Sequence, residues 1–254
     1  LCHSLEMMSL WTSKLSQDVP KKILDILKNG IGLKTSTPAV KIAYIQCMIA
    51  TFNTKTIPQA SIFIPILTKS VEKAVAQPTI ALSVTEGLCA ALLLFKLASV
   101  QKDKDNDFQS VWNAVLDMEK QIFFAEKYLS TTTEESLIYV MQLCEVLLVQ
   151  YPEKLKKPEP IHRAVLYCTT VCSSSTRRKC LAILKRIVGS LSGAAIARSL
   201  FQELQRFLET NKVINEKSED NKESDNNFLS SPTVVEMITT LCSLAGYPPK
   251  MCSF

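Results

Sequence analysis

The chain has 254 residues, 47% of them hydrophobic and only 7% aromatic, with six glycines, eleven prolines and a formal net charge of +5. That length buries a substantial core. The poverty in aromatic and turn residues argues against a sandwich or barrel and for helices packed with Leu, Ile, Val and Ala. The charge is too small to demand an anionic partner, and the longest apolar run, 88–95, is too short for a bilayer.

In chain order, apolar residues three and four apart predict a leading helix over 2–15 and then five hairpins. The amino terminus lacks the basic and continuous apolar segments of a signal peptide. It begins on Leu in a helical pattern, so the chain reads as a piece of a longer one. Ser36 before Thr37-Pro38, and Thr56 before Ile57-Pro58, mark helix starts. Thr132 with Glu135 reads as a capping box, and Ser231-Pro232 opens a final helix that Gly246 stops. Carboxylates are scattered over the helices, and Glu134-Glu135 complement a helix dipole.

The helices repeat. VKIAYIQCM (40–48), TEGLCAALL (85–93) and TRRKCLAIL (176–184) superpose, and a weaker copy starts near Thr132. The steps of about 45 residues are those of a HEAT or armadillo array. A preceding helix is expected for each hairpin, over 18–29, 57–77, 106–129, 159–171 and 194–210. The predicted fold is therefore an all-α solenoid of about five helical pairs behind a leading helix, because a lone hairpin cannot bury its apolar face. The expected division is a solenoid over 1–212, an acidic loop over 213–230, and the last helix and tail over 231–254. The loop's core, INEKSEDNKESDNN (214–227), has almost nothing to bury.

Nine cysteines, mostly inside apolar runs, suit reduced thiols of the cytoplasm better than a disulfide framework. In CTTVCSSSTRRKC (168–180), Cys168 and Cys172 are expected near one helix's end, Ser173, Ser174 and Ser175 in the turn, and Cys180 at the start of the next core stripe. That stripe is read as Cys180, Leu184, Ile187, Val188 and Leu191. Tyr44 and Cys89 hold Cys180's place in the other copies, so a packing residue is wanted there. A tetrahedral metal site would need a fourth ligand, and His162 is six residues from Cys168 on another helix face. No metal and no cofactor is expected. Only two histidines are present, Gly30-x-Gly32 has no following Lys-Ser/Thr, and no nucleophile has an activating neighbour, so the chain is not expected to be an enzyme.

What remains is surface. Arg177, Arg178 and Lys179 stand in the first turn of a helix, where the macrodipole disfavours cations, and Lys185 and Arg186 lie outside its apolar stripe. With Lys41 at Arg177's place in the first copy, these six residues are the candidate contacts for an anionic partner; Glu86 at the same place in the second copy breaks any continuous ladder.

The strings VPKKILDILKNGIGLKTSTPAVKIAYIQCMIATF (19–52), VTEGLCAALLLFKL (84–97) and EKQIFFAEKYL (119–129) resemble one family of very large HEAT-repeat proteins, the general-control translational activators. The likeness runs through most of residues 1–210 and fades in the acidic stretch. The resemblance implies a non-enzymatic scaffold from the amino-terminal arm of such a protein, lying along stalled or collided ribosomes and reaching toward stalk proteins. It implies that other parts of the full-length chain engage the starvation-responsive initiation factor two alpha kinase and an ATP-binding-cassette co-activator. Neither a membrane nor any particular functional residue is implied. Read on fold alone, the alternative is a solenoid adaptor of the transport or phosphatase-scaffold type, which predicts ladders of acidic, aromatic or asparagine residues along a groove. Trp11 and Trp112 form no such ladder.

Overall fold

The computed structural model describes residues 21–32, 37–52, 63–100, 113, 115, 122–170 and 172–217, and among these there is helix and no strand. The leading helix 2–15, the start at Thr56, residues 218–230 of the acidic loop and the last helix lie outside them. The chain divides into two compact units, Leu1–Tyr139 and Val140–Phe254.

In the first unit α1 (Lys21–Gly32) packs on α2 (Pro38–Phe52), α2 on α4 (Ala81–Val100), and α3 (Ile64–Ala76) on α4. Contact with the next helix and the next but one is how hairpins of an α-solenoid bury what each exposes alone. The chain is thus all-α, of the helical-hairpin solenoid type. Pro38 opens α2 behind Thr37, whose carbonyl accepts from the Lys41 N–H at 3.1 Å. Gly30 lies inside α1, beneath the Tyr44 ring.

The three superposed segments fall within helices, and the packing position is buried in each: Tyr44, Cys89 and Cys180. The last residue of each copy, Met48, Leu93 and Leu184, is buried too. α4 departs from the expected amphipathic pattern, since Ser83 through Phe95 are buried without interruption. A helix apolar all round needs cover on all sides. Two polar groups in it find partners. Glu86, 1% exposed, accepts from Ser70 Oγ at 2.8 Å and Lys73 Nζ at 3.5 Å on α3. Thr85 Oγ1 hydrogen-bonds Tyr128 OH at 3.1 Å.

The expected helix 106–129 is corrected. Asn113 and Val115 are helical, but Ile122, Phe123 and Phe124 form a turn, and a short α5 (Glu126–Thr131) follows. The turn takes all three side chains into the core ahead of α5. The expected cap also shifts by one residue. The side chain capping α6 (Glu134–Glu145) is Thr133, whose Oγ1 accepts from the Ser136 N–H at 3.3 Å and contacts Ser136 Oγ at 3.0 Å. Thr133→Ala is expected to lower stability by about 1 kcal/mol, measured by urea denaturation, with Thr132→Ala near neutral.

α6 widens into a π-helical turn, Val146–Gln150, which buries Val146, Leu147 and Leu148 together before Pro152 opens a 3-10 turn, Pro152–Lys154. In the second unit α7 (Glu159–Thr170), α8 (Ser174–Val188) and α9 (Gly193–Lys217) pack each on both others. α9 runs to Lys217, so residues 214–217 of the expected loop are helical. Glu216 and Lys217 are good helix formers and the chain has no breaker there.

Candidate functional site

The turn into α8 comes two residues earlier than expected. α7 ends at Thr170, Cys172 lies in the connection, and Ser173 is the cap residue, its carbonyl accepting from the Arg177 N–H at 2.8 Å. Ser174 and Ser175 are already helical, because a helix start tolerates serine and satisfies its own backbone. Cys172 therefore is not on the same helix as Cys168.

Thr176, Cys180, Ile183, Leu184, Ile187 and Val188 form the buried stripe of α8. The helix stops at Gly189, whose N–H reaches Lys185 O and Ile187 O, so Leu191 falls in the turn and is fully exposed rather than part of the stripe. Ser174, Ser175, Arg178, Lys179, Ala182, Lys185 and Arg186 are exposed, and Arg177 is half-buried. Five of the fifteen residues of α8 are basic and none is acidic.

The six candidate residues divide. Arg178, Lys179 and Lys185 are exposed and form no ion pair among the described residues. Arg186 is committed inside the fold. Its Nε and Nη2 donate to Glu145 Oε1 and Oε2 at 2.6 and 2.7 Å, a two-pronged pair that ties α8 to α6 and pushes its pKa up. Since the guanidinium is more than half exposed, the pair is worth at most about 1 kcal/mol. Arg177 is half-buried and is not free. Lys41, half-buried on α2, belongs to the first unit and is no part of the α8 face.

Sequence reasoning missed how far the basic character extends. Residues 140–217 contain thirteen Lys or Arg and six Glu, a net of +7 against +5 for the whole chain. Lys156 and Lys157, exposed in the connection before α7, contribute to it, and the string EKLKKPEP was legible. Also missed was Glu203, a buried carboxylate on α9 that accepts from Arg163 Nε at 2.6 Å and Arg206 Nη1 at 3.2 Å. His162 is buried beside it, and burial holds its pKa below the usual value.

Cys180 of the stripe and Cys144, Cys168 and Cys172 are all buried and unbridged. A hydrogen bond with Cys172, and then burial, raise the Cys180 pKa; burial first raises those of Cys144 and Cys168. In the first unit burial and then Glu86 push the Cys89 thiol up to about 12. This is the reverse of an activated nucleophile. Among the described residues no three His, Cys, Asp or Glu side chains converge as metal ligands, and no helix is long and apolar enough to cross a membrane.

The raised thiols have a consequence in alkali. An unfolded thiol loses its proton near pH 8.5, whereas Cys89 holds its own to about 12. The unfolded state therefore binds fewer protons in that window. The thiols' contribution to stability is level below about pH 8.5 and falls above it, by up to about 1.4 kcal/mol per pH unit for each such thiol. Denaturation midpoints from pH 7.5 to 10.5 should show this fall, and Cys89→Val should make it shallower. An unchanged slope in that variant would contradict the assignment.

A surface of this kind, on a hairpin solenoid with its thiols buried, marks the chain as a helical-repeat protein whose charged face is available to partners. The comparisons then give the particular relative. Over 216 residues, 84% of its length, the chain is 35% identical to the stalled ribosome sensor GCN1 of Homo sapiens, and over the same length 36% identical to that of Mus musculus. It is similar to a segment of these proteins, spanning 8% of their length. No family model and no solved structure matches.

Proposed function

We propose that this chain is a non-enzymatic scaffold segment of a ribosome-associated translational regulator. The observation that carries the reading is the 35–36% identity to stalled ribosome sensors, sustained over 84% of the chain. The raised thiol pKa values argue against nucleophilic chemistry. In this reading the segment belongs to an amino-terminal arm in the cytoplasm that lies along stalled or collided ribosomes and extends toward stalk proteins. Activation of the initiation factor two alpha kinase, and the contact with its ATP-binding-cassette co-activator, fall to other parts of a longer chain. The contact residues proposed from sequence narrow to Arg178, Lys179 and Lys185, with Arg177 half-buried beside them; Arg186 holds Glu145, and Lys41 belongs to the first unit.

Co-sedimentation of the chain with purified monosomes and with nuclease-generated collided disomes tests the reading. Binding to either that weakens with salt supports it. A folded chain that stays in the supernatant with both would sink it.

A further inference from the structure

Charge brings a partner to α8, but the rest of its outer face says which kind. Between the cations stand Ser174, Ser175 and Ala182, all exposed, and Leu181, half-buried, and the face has no aromatic and no acidic side chain. A protein partner is held mainly by apolar and aromatic anchors at the centre of its interface, ringed by polar groups. The exposed Leu191 stands past the end of the helix, in the turn, and supplies no such anchor here. Nucleic-acid interfaces instead are polar, strongly positive, and made largely by Arg, Lys and Ser side chains on phosphate oxygens.

The geometry agrees. Arg178 and Lys185 are seven residues apart, which returns them to nearly the same side of the helix about 10 Å apart along its axis. Lys179 flanks them, and the small Ala182 between them lets a phosphate chain approach the helix closely. The outer N-terminal turn adds the hydroxyls of Ser174 and Ser175.

We infer that the outer face of α8 binds the sugar–phosphate backbone of duplex RNA through Arg178, Lys179 and Lys185. The choice of RNA over DNA rests on the ribosome reading; the choice of nucleic acid over protein does not.

The test is fluorescence anisotropy of the whole chain with a labelled 20-base-pair RNA duplex, and in parallel with labelled polyglutamate. Three neutralised phosphates give a loss of affinity of roughly 20- to 40-fold between 50 and 200 mM salt. The triple variant Arg178→Ala/Lys179→Ala/Lys185→Ala should lose most binding, and each single variant should lower the salt slope by about one. Lys156→Ala/Lys157→Ala, a comparable charge change elsewhere, should leave the affinity within about twofold. All five positions are exposed, and helicity by circular dichroism checks each variant. RNA binding that the triple variant leaves intact overturns the inference, as does binding to polyglutamate without binding to RNA. If the chain sediments with ribosomes yet ignores the duplex, the inference falls and the scaffold reading stands.

Discussion

Phe123→Ala is expected to cost the first unit about 3–5 kcal/mol, the range for truncating a buried aromatic side chain. Phe123 is 1% exposed and lies in a turn, between buried neighbours Ile122 and Phe124. Its ring lies against α4 near Gly87, where its Cζ is 3.5 Å from the place a Cβ would occupy. A turn residue ordinarily tolerates change, so the large loss is specific to this placement. Phe123→Leu, which keeps much of the volume, should recover most of the stability. Urea denaturation of the two variants decides the matter: a Phe123→Ala loss below about 1 kcal/mol would place the ring at the surface.

Gly87→Ala tests the crossing of α3 and α4. A methyl group at position 87 would overlap the Cβ of Ala74 and stand 3.2 Å from the Ser70 carbonyl oxygen. In an open helix the same change stabilises by about 1 kcal/mol. Here the helices would have to part, and a net loss of about 1–3 kcal/mol is expected. Ala74→Gly removes the obstructing methyl from the other side. The double variant should therefore be more stable than the sum of the single effects predicts. Strict additivity would mean that the two helices do not touch at this point.

These two positions also show where sequence reading succeeds and where it stops. Tyr44, Cys89 and Cys180 were legible as packing positions because a repeat gives each residue three trials, and all three are buried. The packing role of Cys168, Cys172 and Cys180 was legible on the same ground, and all three are buried. Phe123 was not legible: IFFAEKYL reads equally as helix, and nothing in the string marks the turn at its start. The cap moved from Thr132 to Thr133 because three consecutive threonines offer the same hydroxyl, and tertiary packing chooses the register.

The candidate face was half legible. The five cations of α8 and its buried stripe follow from helical spacing, and so does the exposure of Arg178, Lys179 and Lys185. The removal of Arg186 from that set does not, since its partner Glu145 is 41 residues away in sequence. The same is true of Glu203, held by Arg163 across 40 residues, and of Glu86, held by Ser70 across 16. A charged residue within a helical pattern looks solvated until the neighbouring hairpin is in place.

One measurement bears most directly on the central claim, that this segment lies on ribosomes with the outer face of α8 toward them. A photo-crosslinking amino acid at position 182, in the middle of that face, would be irradiated with the chain bound to collided disomes, and the linked species identified. Crosslinks to ribosomal RNA are expected, and they should disappear in the Arg178→Ala/Lys179→Ala/Lys185→Ala background. A folded, disome-bound chain that yields no ribosomal crosslink from position 182 would contradict the claim.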